Sequence, residues 1–145
     1  FVPGDRLVRL GYCHPLAIET ELGMSDENVI AADTSEVRTR ERCFIRELVN
    51  DKSIPDFSLA ETRVEPGVVT ELHKLAVREW YVIMRGTGRM EIGDAAPRNV
   101  GPGDIVSIPA GVAQRIRNTG DADLVFQCVC LPRFTPDAYE SLEIE

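Results

Sequence analysis

From Glu41 to Leu131 glycine and proline cut the chain into pieces of strand length, and this punctuation limits its fold more than any other feature. The pieces CFIRELV, FSLAETRVE, VVTELHKLA, EWYVIMRG, GRMEIG, DIVSIP, AQRIRN and LVFQCVCL each hold roughly five to nine residues, the usual range for a β-strand. Between them stand Pro66-Gly67, Gly86-Thr87-Gly88, Gly101-Pro102-Gly103, Pro109-Ala110-Gly111 and Asn118-Thr119-Gly120-Asp121. These residues suit tight turns because they fix φ or tolerate its positive values. Many short strands separated by such turns indicate an all-β sandwich or barrel. We place the barrel at residues 41–135. Residues 1–40 hold no comparable period and read as an N-terminal arm that contributes a strand or two. In the tail, residues 136–145, TPDAYESLE puts Thr135 at an N-cap and Pro136 at the first helical position, which predicts one short helix.

Charge excludes one class of partner. With 24 acidic and 16 basic residues the net charge is −8, whereas a phosphate backbone requires a basic face. Nucleic acid is therefore not an expected partner. No apolar run reaches the roughly 20 residues that span a bilayer, and no membrane association is expected. The opening FVPGDRLVRLGYCHPL lacks the continuous apolar core of a secretion signal. The four cysteines, 13, 43, 128 and 130, form no C-x-x-C pair and read as reduced thiols in a cytoplasmic protein.

Two spacings carry the functional signal. Gly67, His73, Glu79 and Gly86 follow the pattern G-x5-H-x-H-x3-E-x6-G, with Leu75 where the second histidine belongs. Gly103, Pro109, Gly111 and Asn118 follow G-x5-P-x-G-x2-H-x3-N, with Gln114 in place of the histidine. On these residues the chain resembles the cupin superfamily, in its small single-domain, conserved-barrel form. The resemblance implies a double-stranded β-helix, grouped with jelly rolls, and a homodimer joined by sheet and arm exchange. It also implies a metal site in which two histidines, a glutamate and a last histidine converge, here His73, Leu75, Glu79 and Gln114.

Strand alternation says which residues share a face. An inward His73 brings Glu71 and Leu75 with it, an inward Glu79 brings Tyr81 and Ile83, and Gln114 brings Ile116. The chain contains only His14 and His73, so one subunit cannot supply three imidazoles. One imidazole, one carboxylate and one amide oxygen remain, a set suited to weakly held Fe, Mn, Ni or Zn with water completing the shell. The alternative is a barrel without metal, in which His73, Glu79 and Gln114 hydrogen-bond to one another.

Cys128 and Cys130 share a strand face with Phe126, and both read as small core residues bordering the pocket. Arg78 and Arg89 are able to hold a substrate carboxylate but read first as surface residues. Trp80 is outward by parity, and His14 is a loop residue.

Two functions fit. One is a small-molecule enzyme of dioxygenase, isomerase or lyase type, with a metal at His73, Glu79 and Gln114 and a proton moved by Tyr81 or Glu71. The other is a non-catalytic barrel that binds a small organic molecule among Leu75, Ile83, Ile116, Phe126 and Cys128.

Overall fold

The computed structural model describes residues 29–32 and 35–144. Its contacts separate Phe1–Ala32 from Asp33–Glu145, and the strands among the described residues lie in the second unit. The strands are β1 (Val37–Arg38), β2 (Phe44–Val49), β3 (Ser58–Val64), β4 (His73–Leu75), β5 (Arg78–Arg85), β6 (Gly88–Ile92), β7 (Arg98–Val100), β8 (Ile105–Ile108), β9 (Gln114–Asn118), β10 (Leu124–Leu131) and β11 (Tyr139–Ser141). They form a six-stranded sheet in the order β1-β2-β3-β10-β5-β8 and a five-stranded sheet in the order β11-β4-β9-β6-β7. Neighbours pair antiparallel throughout. The all-β barrel expected from the punctuation is the fold observed. Among the described residues no helix is long and apolar enough to cross a membrane.

Alternation sets the core. Glu79, Tyr81 and Ile83 of β5 are buried, as are Gln114, Ile116 and Asn118 of β9. Ile83, Ile116, Met90, Val64, Leu124 and Phe126 belong to one apolar cluster between the sheets. Burying an Ile, Leu or Phe side chain stabilises by roughly 1.5–3 kcal/mol, so this cluster is the main cohesive element.

The motif turns have physical reasons. Gly86 has φ +81°, and a Cβ there would lie 2.6 Å from the Asp123 carbonyl oxygen, so no side chain fits. Asn118 ties down the β9–β10 turn. Its Nδ2 donates to the Val64 and Ala122 carbonyls, and its Oδ1 accepts from Gly120 N.

The tail departs from its reading. Thr135 and Pro136 do begin a helix, but it lasts one 3-10 turn, Pro136–Ala138. The chain then continues as β11, pairing Tyr139 with Leu75 and Ser141 with His73. A helix this short is marginal in water. Strand pairing instead satisfies the open edge of β4 and buries the alternate residues Tyr139 and Ser141 in part.

Candidate functional site

Paired strands carry their side chains in rows, and the rows locate the site. Across β3, β10 and β5, Ala60, Cys128 and Tyr81 form one row, and Ser58, Cys130 and Glu79 form the next. Together with residues from β2, β4 and the tail these rows line a cavity of about 470 Å³, whose wall includes His73, Leu75, Glu79, Tyr81, Phe126 and Cys128. That volume suits a small organic ligand.

His73 is held from two sides. Its Nδ1 lies 2.8 Å from the Glu71 carbonyl oxygen, which only accepts, so Nδ1 carries the proton. The Tyr139 ring stacks on the imidazole, centroids 4.7 Å apart and planes 19° off parallel. Nε2 has no hydrogen-bond partner among the described residues, and the ring lines the cavity at 4% exposure. A fixed tautomer with a free lone pair is what a general base or ligand nitrogen requires.

Glu79 is the second reactive group. Burial pushes its carboxyl up to about 7, an effect to which the nearby Glu41 adds, while hydrogen bonds from Gln114 and Cys128 work against it. Gln114 Nε2 donates to Glu79 Oε2 at 2.7 Å, and Tyr81 Oη donates to Gln114 Oε1 at 2.7 Å. Tyr81 is kept far above its ordinary value, first by burial and then by Glu79. It is a neutral donor that fixes the amide. Cys128 shares a hydrogen bond with Thr62 at 3.3 Å, and burial holds its thiol well above the usual range. Burial likewise pushes Cys130 to about 12. Neither thiol is a thiolate at neutral pH, and both are free.

Several sequence expectations need correction. Glu71 is not a cavity group, because it lies ahead of β4 and outside the alternation. Its carboxylate instead takes hydrogen bonds from Tyr139, from Ser141 at 2.7 Å and from Arg40 at 3.2 Å. Burial alone would raise Glu71, but these donors hold it below the ordinary value. Ile83 and Ile116 have the expected parity but stand one row deeper, in the apolar core. Gln114 is also absent from the cavity wall. Arg78 donates to Ser107 and lies near the Trp80 ring on the outer face, while exposed Arg89 opposes Arg117 on the other sheet. His14 and Cys13 lie outside the described residues.

Glu41 was missed. It sits in the turn before β2, where no alternation marks its direction, yet it lines the cavity. Its carboxyl is raised by burial and by Glu71, and His73 opposes that rise. No described group hydrogen-bonds to its carboxyl.

The donors do not fit the metal that the resemblance implies. Leu75 brings no donor, and the Gln114 amide nitrogen donates to Glu79 while its oxygen, accepting from Tyr81, keeps one lone pair. Among the described residues no three His, Cys, Asp or Glu side chains converge as a metal-holding group. What the arrangement offers instead is proton transfer between a fixed imidazole nitrogen and a carboxyl poised near neutrality.

Comparison with known proteins agrees with the geometry of the barrel. Residues 60–130 match the family model described as Cupin_2, cupin domain. Oxalate decarboxylase OxdC of Bacillus subtilis (strain 168) is 30% identical over 108 residues, covering 71% of this chain and 27% of that protein. The chain thus spans about a quarter of the curated relative it matches. Among solved structures, the polyketide cyclase RemF from Streptomyces resistomycificus superposes with a TM-score of 0.68 at 20% identity, over 83% of this chain and 88% of its own. A Cupin 2 conserved barrel domain protein from Salinispora arenicola CNS-205 gives 0.63 at 21% identity, over 74% and 90%. At these identities the structural likenesses speak for the fold.

Proposed function

The chain belongs to the cupin superfamily through its domain at residues 60–130, and on that premise we propose that it is a small-molecule enzyme working by proton transfer in the barrel cavity. His73 Nε2 takes or returns a proton on the substrate, and Glu79, near half-ionised at neutral pH, acts as its acid–base counterpart. Tyr81 and Gln114 hold Glu79 in place, and Leu75 and Phe126 exclude water from the reacting end. Isomerisation, cyclisation and elimination are the reaction classes that need only such groups. The observation that carries the reading is the free Nε2 of a ring fixed by a carbonyl and a stacked tyrosine, facing a cavity that also contains Glu79.

RemF, alike in fold over most of both chains, is by its name a polyketide cyclase, a precedent for an organic substrate in a barrel of this kind. A resident metal, the leading expectation from the resemblance, has less support because Leu75 supplies no donor and no three His, Cys, Asp or Glu side chains converge among the described residues. The free thiols at Cys43, Cys128 and Cys130 suit a reducing cytoplasm. A second copy of the chain is the proposed partner.

The test begins with native mass spectrometry on a small-molecule panel. Ligands found are then followed by NMR for deuterium incorporation from solvent. The expected result is exchange that survives dialysis against EDTA and is lost in His73→Gln and Glu79→Gln. Exchange abolished by EDTA and restored by Mn or Fe would return the site to metal chemistry.

A further inference from the structure

The cavity wall has a composition that the acid–base reading does not use. Its ionisable side chains are His73, Glu41, Glu47, Glu79, three thiols and two tyrosines, and no lysine or arginine is among its described residues. The hydrogen-bonding balance is equally one-sided. Among the described residues, His73 Nε2 is an unpartnered acceptor on a residue only 4% exposed, the Glu79 carboxyl takes hydrogen bonds from Gln114 and Cys128 alone, and the Glu41 carboxyl has no hydrogen-bond donor, only the more distant charges of His73 and Arg40. The obvious hydroxyl donors are already engaged. Tyr81 donates to Gln114, Tyr139 to Glu71, and Thr70 to the Ile116 carbonyl. The wall also carries apolar side chains, among them Leu75, Ile45, Leu59 and Phe126.

We infer that the cavity takes an organic cation, a primary or secondary amine on an apolar body, with the ammonium lodged between Glu41 and Glu79. The inference rests on the cavity being the ligand site, as proposed above. An ammonium supplies several donors and no acceptor, the complement of three acceptors to which no lysine or arginine of the wall hydrogen-bonds. Charge-assisted hydrogen bonds to carboxylates are about twice as strong as neutral ones. A carboxylate ligand such as oxalate meets a less favourable wall, since it would bring further acceptors and negative charge beside two carboxyls that ionise near or below neutrality and beside no lysine or arginine of the wall. A bare metal ion would need its donors close together, and among the described residues no such group of three exists. The carbon body of an amine can bridge wider spacing.

Isothermal titration with a matched set on one skeleton provides the test: 3-phenylpropylamine, 3-phenylpropanol and 3-phenylpropionate, with oxalate and Mn(II) alone as further arms. The amine is expected to bind at least about tenfold tighter than the alcohol, and the two carboxylates to give no heat. Glu41→Gln should bring the amine down to within a fewfold of the alcohol. Equal binding of amine and alcohol to the unaltered protein would overturn the charge assignment and leave the cavity reading standing. Tightest binding by a carboxylate, or a Glu41-dependent site for Mn(II) alone, would also overturn it. If no member of the set binds, the inference and the cavity reading fall together.

Discussion

Burial keeps the Glu79 carboxyl protonated up to about pH 7, against an ordinary value of 4.5. A group whose folded pKa is raised stabilises the fold fully below its unfolded pKa. That contribution is lost as pH rises through the folded value. Between about pH 4.5 and 7 the unfolded chain has released this proton and the folded chain has not, so stability falls across that window. At about 1.4 kcal/mol per unit the loss is on the order of 3 kcal/mol. Glu79→Gln is expected to remove most of that slope, and the raised carboxyl of Glu41 keeps a remnant of it. Urea midpoints at a series of pH values measure this. Parallel profiles for the two proteins would show that Glu79 ionises freely.

Elements were legible in proportion to how regular they are. The strands β2 to β6 and β8 to β10 follow from their turns and alternation, the three-residue β7 being too short to read, and the faces of His73, Leu75, Glu79 and Tyr81 follow from parity. Parity has no information about depth, which is why Ile83 and Ile116 were assigned to the pocket and lie in the core. Glu41 was illegible because a turn residue has no alternation to give its direction. Tyr139 was read through a helix start that is real but short, although Tyr139 and Ser141 already alternate around Glu140 as a strand does. Register exposes one further feature of the second sheet. On β6 and β9 Glu91 opposes Arg115, whereas Arg89 opposes Arg117, and neither of the latter two has an ion-pair partner among the described residues. Like charges directly opposite are destabilising by some tenths of a kcal/mol. Arg89→Glu should therefore raise stability by about 0.5 kcal/mol, seen as a higher midpoint in thermal unfolding that salt diminishes. An unchanged or lower midpoint would mean that the arginine pair is already neutralised.

At the scale of the molecule, the six-stranded sheet ends in β1 on one side and β8 on the other, and among the described residues no further strand pairs with either. Val37 on β1 is 64% exposed and Ile105 on β8 is 58% exposed. Open edges bearing apolar side chains invite pairing with another chain. Sedimentation velocity is expected to show a homodimer, and Val37→Lys with Ile105→Lys to shift it toward monomer. A monomer for the unaltered chain at micromolar concentration would remove the second copy as a partner.

The position of β10 has a different consequence. It lies between β3 and β5 and supplies Phe126, Cys128 and Cys130 to the cavity wall. Without it, β3 and β5 would flank a gap one strand wide with unpaired backbone on both sides. A chain severed at the Thr119–Asp123 turn would be a receptor for its own missing strand, and a peptide of residues 121–145 its complement. Ligand binding would return only on reassembly, which makes this turn the natural cut for a split reporter.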